Sequence, residues 1–153
     1  MADDLASFET LEHLRVRIET WLTEQLEENP TIAAVERDTT TRRWFGRVKG
    51  EEKDVFTLWL TLGERTLRYE TYVMPAPEEN VAVFYEHLLR RNRTFNGMAF
   101  CIGDEDALFL VGQLPVGAVD EGELDRILGE TYEYVERCFR PAMRIGYASR
   151  FKD

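Results

Sequence analysis

The chain has 153 residues, of which 44% are hydrophobic and 31% charged, a composition that suits one folded domain with a substantial core. Its formal net charge of −10 argues against general binding to nucleic acid or to an anionic membrane. No apolar run approaches the roughly 18 residues of a membrane helix, and the acidic N-terminus lacks the apolar region of a signal peptide. We therefore expect a single domain, residues 1–153, located in the cytoplasm.

The first predicted element is a long amphipathic helix over residues 7–28. Ser7 suits its N-cap, and Asn29-Pro30 ends it. Its apolar residues recur at helical spacing, and they are Leu11, Leu14, Ile18, Trp21, Leu22 and Leu26. Residues 31–35 follow as a short extended apolar segment, and residues 38–41 follow as a turn.

Charge changes sign after this helix. Residues 1–30 contain eight acidic and two basic residues, whereas residues 37–49 contain five basic residues and one acid. Blocks of this kind usually mark solvated faces and less often mark a surface for a partner. The sequence leaves both interpretations open.

Three strands are predicted next. Residues 43–49 alternate in character and predict a strand, and the charged residues 50–54 predict a turn. Residues 55–74, VFTLWLTLGERTLRYETYVM, predict a hairpin with a type II′ turn at Gly63-Glu64. That turn fixes the cross-strand pairs, which are Leu60 with Leu67, Leu58 with Tyr69, and Phe56 with Thr71.

The two faces of this hairpin differ. One face is almost wholly apolar and is expected to lie in the core. The other combines aromatic, sulfur-containing and arginine side chains, which are typical of interface cores. It presents a candidate partner surface that consists of Val55, Trp59, Arg68, Tyr72 and Met74. The alternative is that a helix or the C-terminal tail of the same chain covers this face.

A helix and a second hairpin follow. Pro77 suits the first turn of the helix, which runs to a cluster of arginines before Asn96-Gly97. Residues 98–102 and 107–112 predict the hairpin, with Phe109 and Val111 on the face of Phe100. Both of its faces are apolar, so we expect both to be covered.

Asp120 and Glu123 form a capping box that starts the last helix, and Arg140-Pro141 is expected to end it. The tail, residues 142–153, is expected to pack as an irregular segment or as a helical extension. The predicted order is therefore α-β-β-β-α-β-β-α. This order predicts an α+β fold in which helices pack on an antiparallel five-stranded sheet.

No combination of residues has catalytic spacing. His13 and His87 lie on different predicted helices and are interpreted as structural, and the loop of residues 103–106 lacks the calcium-loop pattern. Cys101 and Cys138 have no CxxC motif and are expected to be reduced and buried. The sequence predicts no catalytic residue, no cofactor site and no metal site, and hence a protein that is not an enzyme.

Residues 42–47, RRWFGR, mix cations with aromatic side chains, as proteins that bind single-stranded nucleic acid do. The alternative is an amphipathic strand whose arginines point outward. Because the chain is acidic as a whole, we favour the strand and predict no nucleic-acid partner.

Several long stretches resemble the YbjN-domain family, in particular its actinobacterial branch. The resemblance covers most of the chain from about Trp44 onward. The matching stretches are VFTLWLTLGERTLRYE at 55–70, TYVMPAPEEN at 71–80, LLRRN at 88–92, GQLP at 112–115, DRILG at 125–129 and FRPAMRIG at 139–146.

This resemblance implies a fold like that of type III secretion chaperones. The family carries a label as a sensory-transduction regulator and has no established catalytic residues. The resemblance therefore implies a non-enzymatic regulatory or chaperone-like domain that engages a protein or peptide partner through a sheet or helix surface. Chaperone-like relatives are often homodimers, so we expect a homodimer. The alternatives are an enzyme with a cryptic site and a purely structural or regulatory subunit.

Overall fold

The computed structural model describes residues 5–38 and 40–151. The predicted turn at residues 38–41, the acidic N-terminus and the end of the tail each include residues outside this part. The helices and strands are α1 Phe8–Glu28, β1 Ile32–Asp38, β2 Arg43–Lys49, β3 Val55–Leu62, β4 Thr66–Met74, α2 Val81–Asn92, β5 Ala99–Ile102, β6 Leu108–Pro115 and α3 Glu121–Gly146. The predicted α+β class is confirmed.

The sheet has six antiparallel strands in the order β1-β2-β3-β4-β6-β5, so the prediction of five strands is wrong. The strand that the sequence did not predict is β1, which pairs with β2 at one edge of the sheet. Of its residues only Ile32 is buried. An edge strand with a single buried position shows little alternation, and the sequence therefore indicated only an extended segment.

The register between β3 and β4 is two residues away from the predicted one. Leu60 pairs with Tyr69, and Leu62 pairs with Leu67. The amide of Gly63 donates to the carbonyl of Thr66 at 2.9 Å, so the turn is centred on residues 64–65. Gly63 lacks the positive φ that a type II′ turn needs there. Because a shift of two residues preserves the alternation of side chains, both predicted faces of the hairpin are kept as far as Tyr72.

All three helices pack on one face of the sheet, which we call the inner face. Trp21 and Leu22 of α1 lie over β2 and β3, and Tyr132 of α3 has its ring centroid 6.3 Å from that of Phe56. Leu88 of α2 lies beside Phe100 of β5. The apolar side chains between the helices and the sheet form one buried cluster, which leaves the opposite, outer face without a helical layer.

Two predicted helix starts are confirmed. Ser7 accepts a hydrogen bond from the amide of Thr10, and Asp120 accepts one from the amide of Glu123. By contrast, α2 begins at Val81 rather than at Pro77. The last helix does not end at Pro141 but continues to Gly146. Proline interrupts one backbone hydrogen bond, and the buried Ala142 just beyond it keeps the helix packed in the core.

The second hairpin also has a different arrangement of faces. Leu110 pairs with Phe100, and Leu108 pairs with Ile102, so these side chains share the inner face. Phe109 and Val111 therefore lie on the outer face instead. The loop of five residues between β5 and β6 determines which residues of the two strands share a face. Strand periodicity alone did not reveal this register.

Candidate binding surface

The outer face of the sheet carries the side chains that alternate with those of the core. None of them is fully buried, and no described helix covers them. This contradicts the expectation that both faces of the second hairpin are covered. The members from β2 to β6 are Arg43, Phe45, Arg47, Lys49, Val55, Thr57, Trp59, Thr61, Arg68, Glu70, Tyr72, Ala99, Cys101, Phe109, Val111 and Gln113.

Four of the five predicted surface residues lie on this face. Val55 and Tyr72 are 43% and 42% exposed, Arg68 is exposed, and Trp59 is half-buried. Met74 is fully buried, because the register between β4 and β6 shifts between Tyr72 and Met74 and turns the side chain into the core. The described part of the tail bonds to residues 76–79, through Tyr147, Ser149 and Arg150.

The middle of the outer face is a cluster of aromatic and cationic side chains, here called the Trp59 cluster (Arg43, Phe45, Trp59 and Glu70). The ring centroids of Phe45 and Trp59 are 4.7 Å apart. The guanidinium carbon of Arg43 lies 4.2 Å from the Trp59 ring centroid, and Nη2 of Arg43 is 3.5 Å from Oε1 of Glu70. These contacts hold the indole in place, and the Trp59 side chain remains half-buried rather than buried.

Three members of this cluster, Arg43, Phe45 and Glu70, were not among the predicted surface residues. Phe45 pairs with Trp59 across β2 and β3, and Trp59 pairs with Glu70 across β3 and β4. The alternation of residues 43–49 already indicated that Arg43 and Phe45 share a face. What it could not supply was the register between β2 and β3, which places that face beside Trp59.

A second aromatic contact lies on the neighbouring strands. The rings of Tyr72 and Phe109 meet edge to face, with centroids 5.7 Å apart. The ammonium group of Lys53 is 5.6 Å from the Tyr72 centroid and 4.8 Å from that of Phe139. Burial raises the pKa of Tyr72, with a further contribution from Glu105. Burial also lowers the pKa of Lys53, which Asp54 partly offsets.

The basic block at residues 37–49 is divided between two sides of the molecule. Arg37 is 3.1 Å from Glu19, and Arg42 is 4.0 Å from Glu12, so these two arginines face the acidic helix α1. The other three basic residues of the block project from the outer face. Among the described residues, no ion pair or side-chain hydrogen bond is formed by Arg47, Lys49 or Arg68.

A cavity of about 410 Å³ lies along the second half of α3. The carboxylate of Glu136 accepts hydrogen bonds from the amides of Glu51 and Glu52, at 2.7 and 2.6 Å. Arg140 pairs with Glu52, and Arg137 pairs with Glu133. Since most of the charged groups bind each other, the cavity does not present the convergent free polar groups of an active site.

The histidines and cysteines do not form a reactive group either. Burial lowers the pKa of His87, as does Arg91. Burial raises the pKa of both thiols, and Cys101 is half-buried rather than buried as predicted. Over the described ranges, no group of three or more His, Cys, Asp or Glu residues is arranged to hold a metal ion.

No helix in the described part of the chain has both the length and the hydropathy that a membrane span requires.

Residues 14–142 match the sequence model of the YbjN family, which is described as "Putative bacterial sensory transduction regulator". An uncharacterized protein of Mycobacterium tuberculosis and one of Mycobacterium bovis are each 38% identical over 100 residues. An uncharacterized protein of Mycobacterium leprae is 32% identical over 100 residues. These matches cover 65% of this chain but only 54–55% of each relative, so the chain spans about half the length of the curated relatives it matches.

Proposed function

Because this chain belongs to the YbjN family, we propose that it is a non-enzymatic regulatory or chaperone-like domain that binds a protein or peptide partner through the outer face of its sheet. The observation that carries the proposal is the Trp59 cluster, which lies at the middle of a face that no described helix covers. The family description supports the regulatory part of the proposal.

The geometry of the cluster favours binding. Tryptophan, tyrosine and arginine contribute most of the energy in many interfaces, especially near the centre of the contact. Trp59 is restrained before binding by Phe45 and Arg43. A restrained side chain loses little conformational entropy when a partner arrives, so more of the contact energy remains as affinity.

A photo-cross-linking amino acid at Thr57 or Thr61 tests the proposal in the native host. Both threonines are half-buried on the outer face and lie on either side of Trp59. The matched control is the same amino acid at Val16, which is exposed on α1. We expect a defined adduct from the outer-face positions and none from Val16. Equal adducts at all three positions, or adducts at Val16 alone, would contradict the proposal.

The nature of the adduct distinguishes a chaperone-like domain from a regulatory domain. A chaperone-like role, which the resemblance to type III secretion chaperones supports, predicts an extended segment of a partner cross-linked to the sheet. A regulatory subunit predicts one folded partner instead. Mass spectrometry of the cross-linked peptides, compared with limited proteolysis of the partner, distinguishes them.

We also propose that the protein is a cytoplasmic homodimer. Support comes from the other edge of the sheet, where β5 lies as an edge strand beside an apolar groove of about 300 Å³ under α2. Leu89 and Ile102 at this groove are 68% and 55% exposed. An unpaired edge with exposed apolar neighbours suits pairing with a second copy. Sedimentation at concentrations on the order of tens of micromolar should show a dimer that Ile102→Lys converts to a monomer.

A further inference from the structure

The part of the outer face that β2, β3 and β4 form is basic in a chain that is acidic. From β2 to β4 it carries four cations and one acid, Glu70. Glu70 forms an ion pair with Arg43. The other three cations, Arg47, Lys49 and Arg68, have no ion-pair partner among the described residues. On the edge strand β1, Glu36 pairs with Phe45 and Asp38 pairs with Arg43, so these two acids border the basic area at one rim.

The sheet register determines the positions of Arg47 and Arg68 relative to Trp59. Arg47 pairs with Thr57 of β3, and Arg68 pairs with Thr61 of β3. Trp59 lies midway between those two threonines, so Arg47 and Arg68 are diagonally opposite across the indole. With ordinary strand spacing and rise, their Cα atoms are about 16 Å apart.

Resting on the proposed function, we propose that the partner segment is an extended acidic peptide with an aromatic or aliphatic residue between two carboxylates. The apolar residue packs on Trp59, and the carboxylates pair with Arg47 and Arg68. In an extended chain, side chains four residues apart lie about 13 Å from each other, and the length of the arginine side chains covers the difference. Guanidinium groups bind carboxylates through paired, charge-assisted hydrogen bonds.

A second copy of the chain does not suit this face. Two outer faces brought together would place unpaired arginines opposite arginines, and like charges that face each other disfavour such an interface. The acidic partner and the dimer, which we assign to the β5 edge, therefore use different surfaces.

A nucleic acid suits the face less well than a short peptide does. Charge beyond about 10 Å is largely screened at 0.1 M salt, so a short peptide senses mainly the basic area. A long polyanion would extend past that area to the acidic rest of the molecule, including the exposed glutamates of α1. The net charge of −10 opposes such a ligand.

Fluorescence anisotropy with labelled probes tests the proposal. The first probe is a nine-residue peptide of Glu and Thr with a central Phe and glutamates two residues to either side. Matched probes carry Gln or Lys in place of Glu, and a fourth probe is a ten-nucleotide oligothymidylate. We expect the acidic peptide to bind at least tenfold more tightly than the Gln peptide, and the Lys peptide and the oligothymidylate to bind more weakly still.

Paired variants locate the binding. Arg47→Gln with Arg68→Gln should weaken the acidic peptide at least tenfold and leave the Gln peptide unchanged. The control is Arg90→Gln with Arg144→Gln, which makes the same change in net charge on exposed helical positions. Circular dichroism and thermal unfolding establish that both double variants fold.

Each outcome decides a separate question. If the acidic and Gln peptides bind equally, or if both double variants weaken binding equally, the acidic partner is wrong, although cross-links at Thr57 and Thr61 would still support the proposed function. Tighter binding of oligothymidylate would overturn the acidic peptide in favour of a nucleic acid. If no peptide binds to the outer face and no adduct forms at Thr57 or Thr61, the proposed function is wrong, and so is this inference.

Discussion

Trp44 and Trp59 lie on adjacent strands but on opposite faces of the sheet. They should therefore contribute very differently to the stability of the fold. Trp44 is 1% exposed on the inner face, whereas Trp59 is half-buried on the outer face. Trp44→Ala should destabilise the fold by about 3–5 kcal/mol through loss of burial and the cavity left behind. Trp59→Ala should cost only about 1 kcal/mol, since it loses mainly ring contacts with Phe45 and Arg43.

Urea unfolding of the two variants measures this difference. Trp44→Phe is a useful third variant, because Nε1 of Trp44 is buried without a hydrogen-bond partner in the described part of the chain. Removing that unsatisfied N–H offsets part of the lost volume, so Trp44→Phe should cost less than Trp44→Ala. Equal costs for Trp44→Ala and Trp59→Ala would contradict the assignment of the two faces.

Tyr69 gives a prediction for alkaline pH. Its hydroxyl donates to the carbonyl of Gly97 at 2.7 Å, and burial raises its pKa above the ordinary value of 10.0, although Arg126 acts in the opposite direction. A raised pKa means that the neutral phenol stabilises the folded state fully below pH 10, and that this contribution is lost as pH rises toward the folded pKa.

The measurement is the difference in unfolding free energy between the wild type and Tyr69→Phe, taken from pH 8 to pH 11. We expect the advantage of the wild type to be constant up to about pH 9.5 and to shrink above it. Other alkaline transitions, such as that of Lys53, occur in both proteins and cancel in the difference. A difference that stays constant to pH 11 would show that Tyr69 does not titrate differently in the folded state.

At the scale of whole elements, the loop between β2 and β3 is fastened to helix α3. The backbone amides of Glu51 and Glu52 donate to the carboxylate of Glu136, and this brings Gly50 against the same carboxylate. A Cβ added at Gly50 would lie 1.9 Å from Oε1 of Glu136 and 2.3 Å from the carbonyl oxygen of Lys53. The loop can therefore stay on α3 only if residue 50 has no side chain.

Gly50→Ala should destabilise the fold by about 1–3 kcal/mol, because the loop must move away from Glu136. Gly129→Ala is the matched control within the same helix. It adds a methyl group with no atom within 4 Å and should stabilise the fold by about 0.5–1 kcal/mol, since alanine loses less backbone entropy in a helix. Thermal unfolding should therefore show shifts of opposite sign, and a neutral Gly50→Ala would indicate that the loop is not fastened to α3.

The elements also show what periodicity can and cannot predict. The long helices and the central strands β2, β3 and β4 were predictable, because each has several buried positions at a regular spacing. The edge strand β1 has one buried residue and gave too weak a pattern. Alternation placed Val55, Trp59, Arg68 and Tyr72 on one face, but the shift that buries Met74 depends on pairing with β6, a strand distant in sequence.

For the whole molecule, charge is separated between two sides. The acidic helix α1 lies on the inner face, where Glu12 and Glu19 meet arginines from the block at residues 37–49. The rest of that block lies on the outer face with Arg68. The sequence displayed both blocks of charge but not their division, since strand alternation sends Arg37 and Arg47 to opposite faces only once the register is known.

This separation predicts two different salt dependences for the acidic peptide. Glu24, Glu27 and Glu28 are exposed on α1, away from the outer face. Replacing all three with Gln removes long-range repulsion without touching the binding surface. At low ionic strength, where the Debye length is about 30 Å, the triple variant should bind the acidic peptide a few-fold more tightly than the wild type. At 0.5 M salt the two proteins should bind it equally.

The double variant Arg47→Gln with Arg68→Gln should behave differently, because it removes direct contacts with the peptide carboxylates. Direct pairs at a partly buried contact are screened less than distant charges, so its loss of affinity should persist at 0.5 M salt. Anisotropy titrations of the three proteins at both salt concentrations make the comparison. The contrary result is that the triple variant and the double variant both bind the peptide as the wild type does at 0.5 M salt. Arg47 and Arg68 would then act only through the overall electrostatic field of the molecule. The outer face would not be a site that recognises a pair of carboxylates.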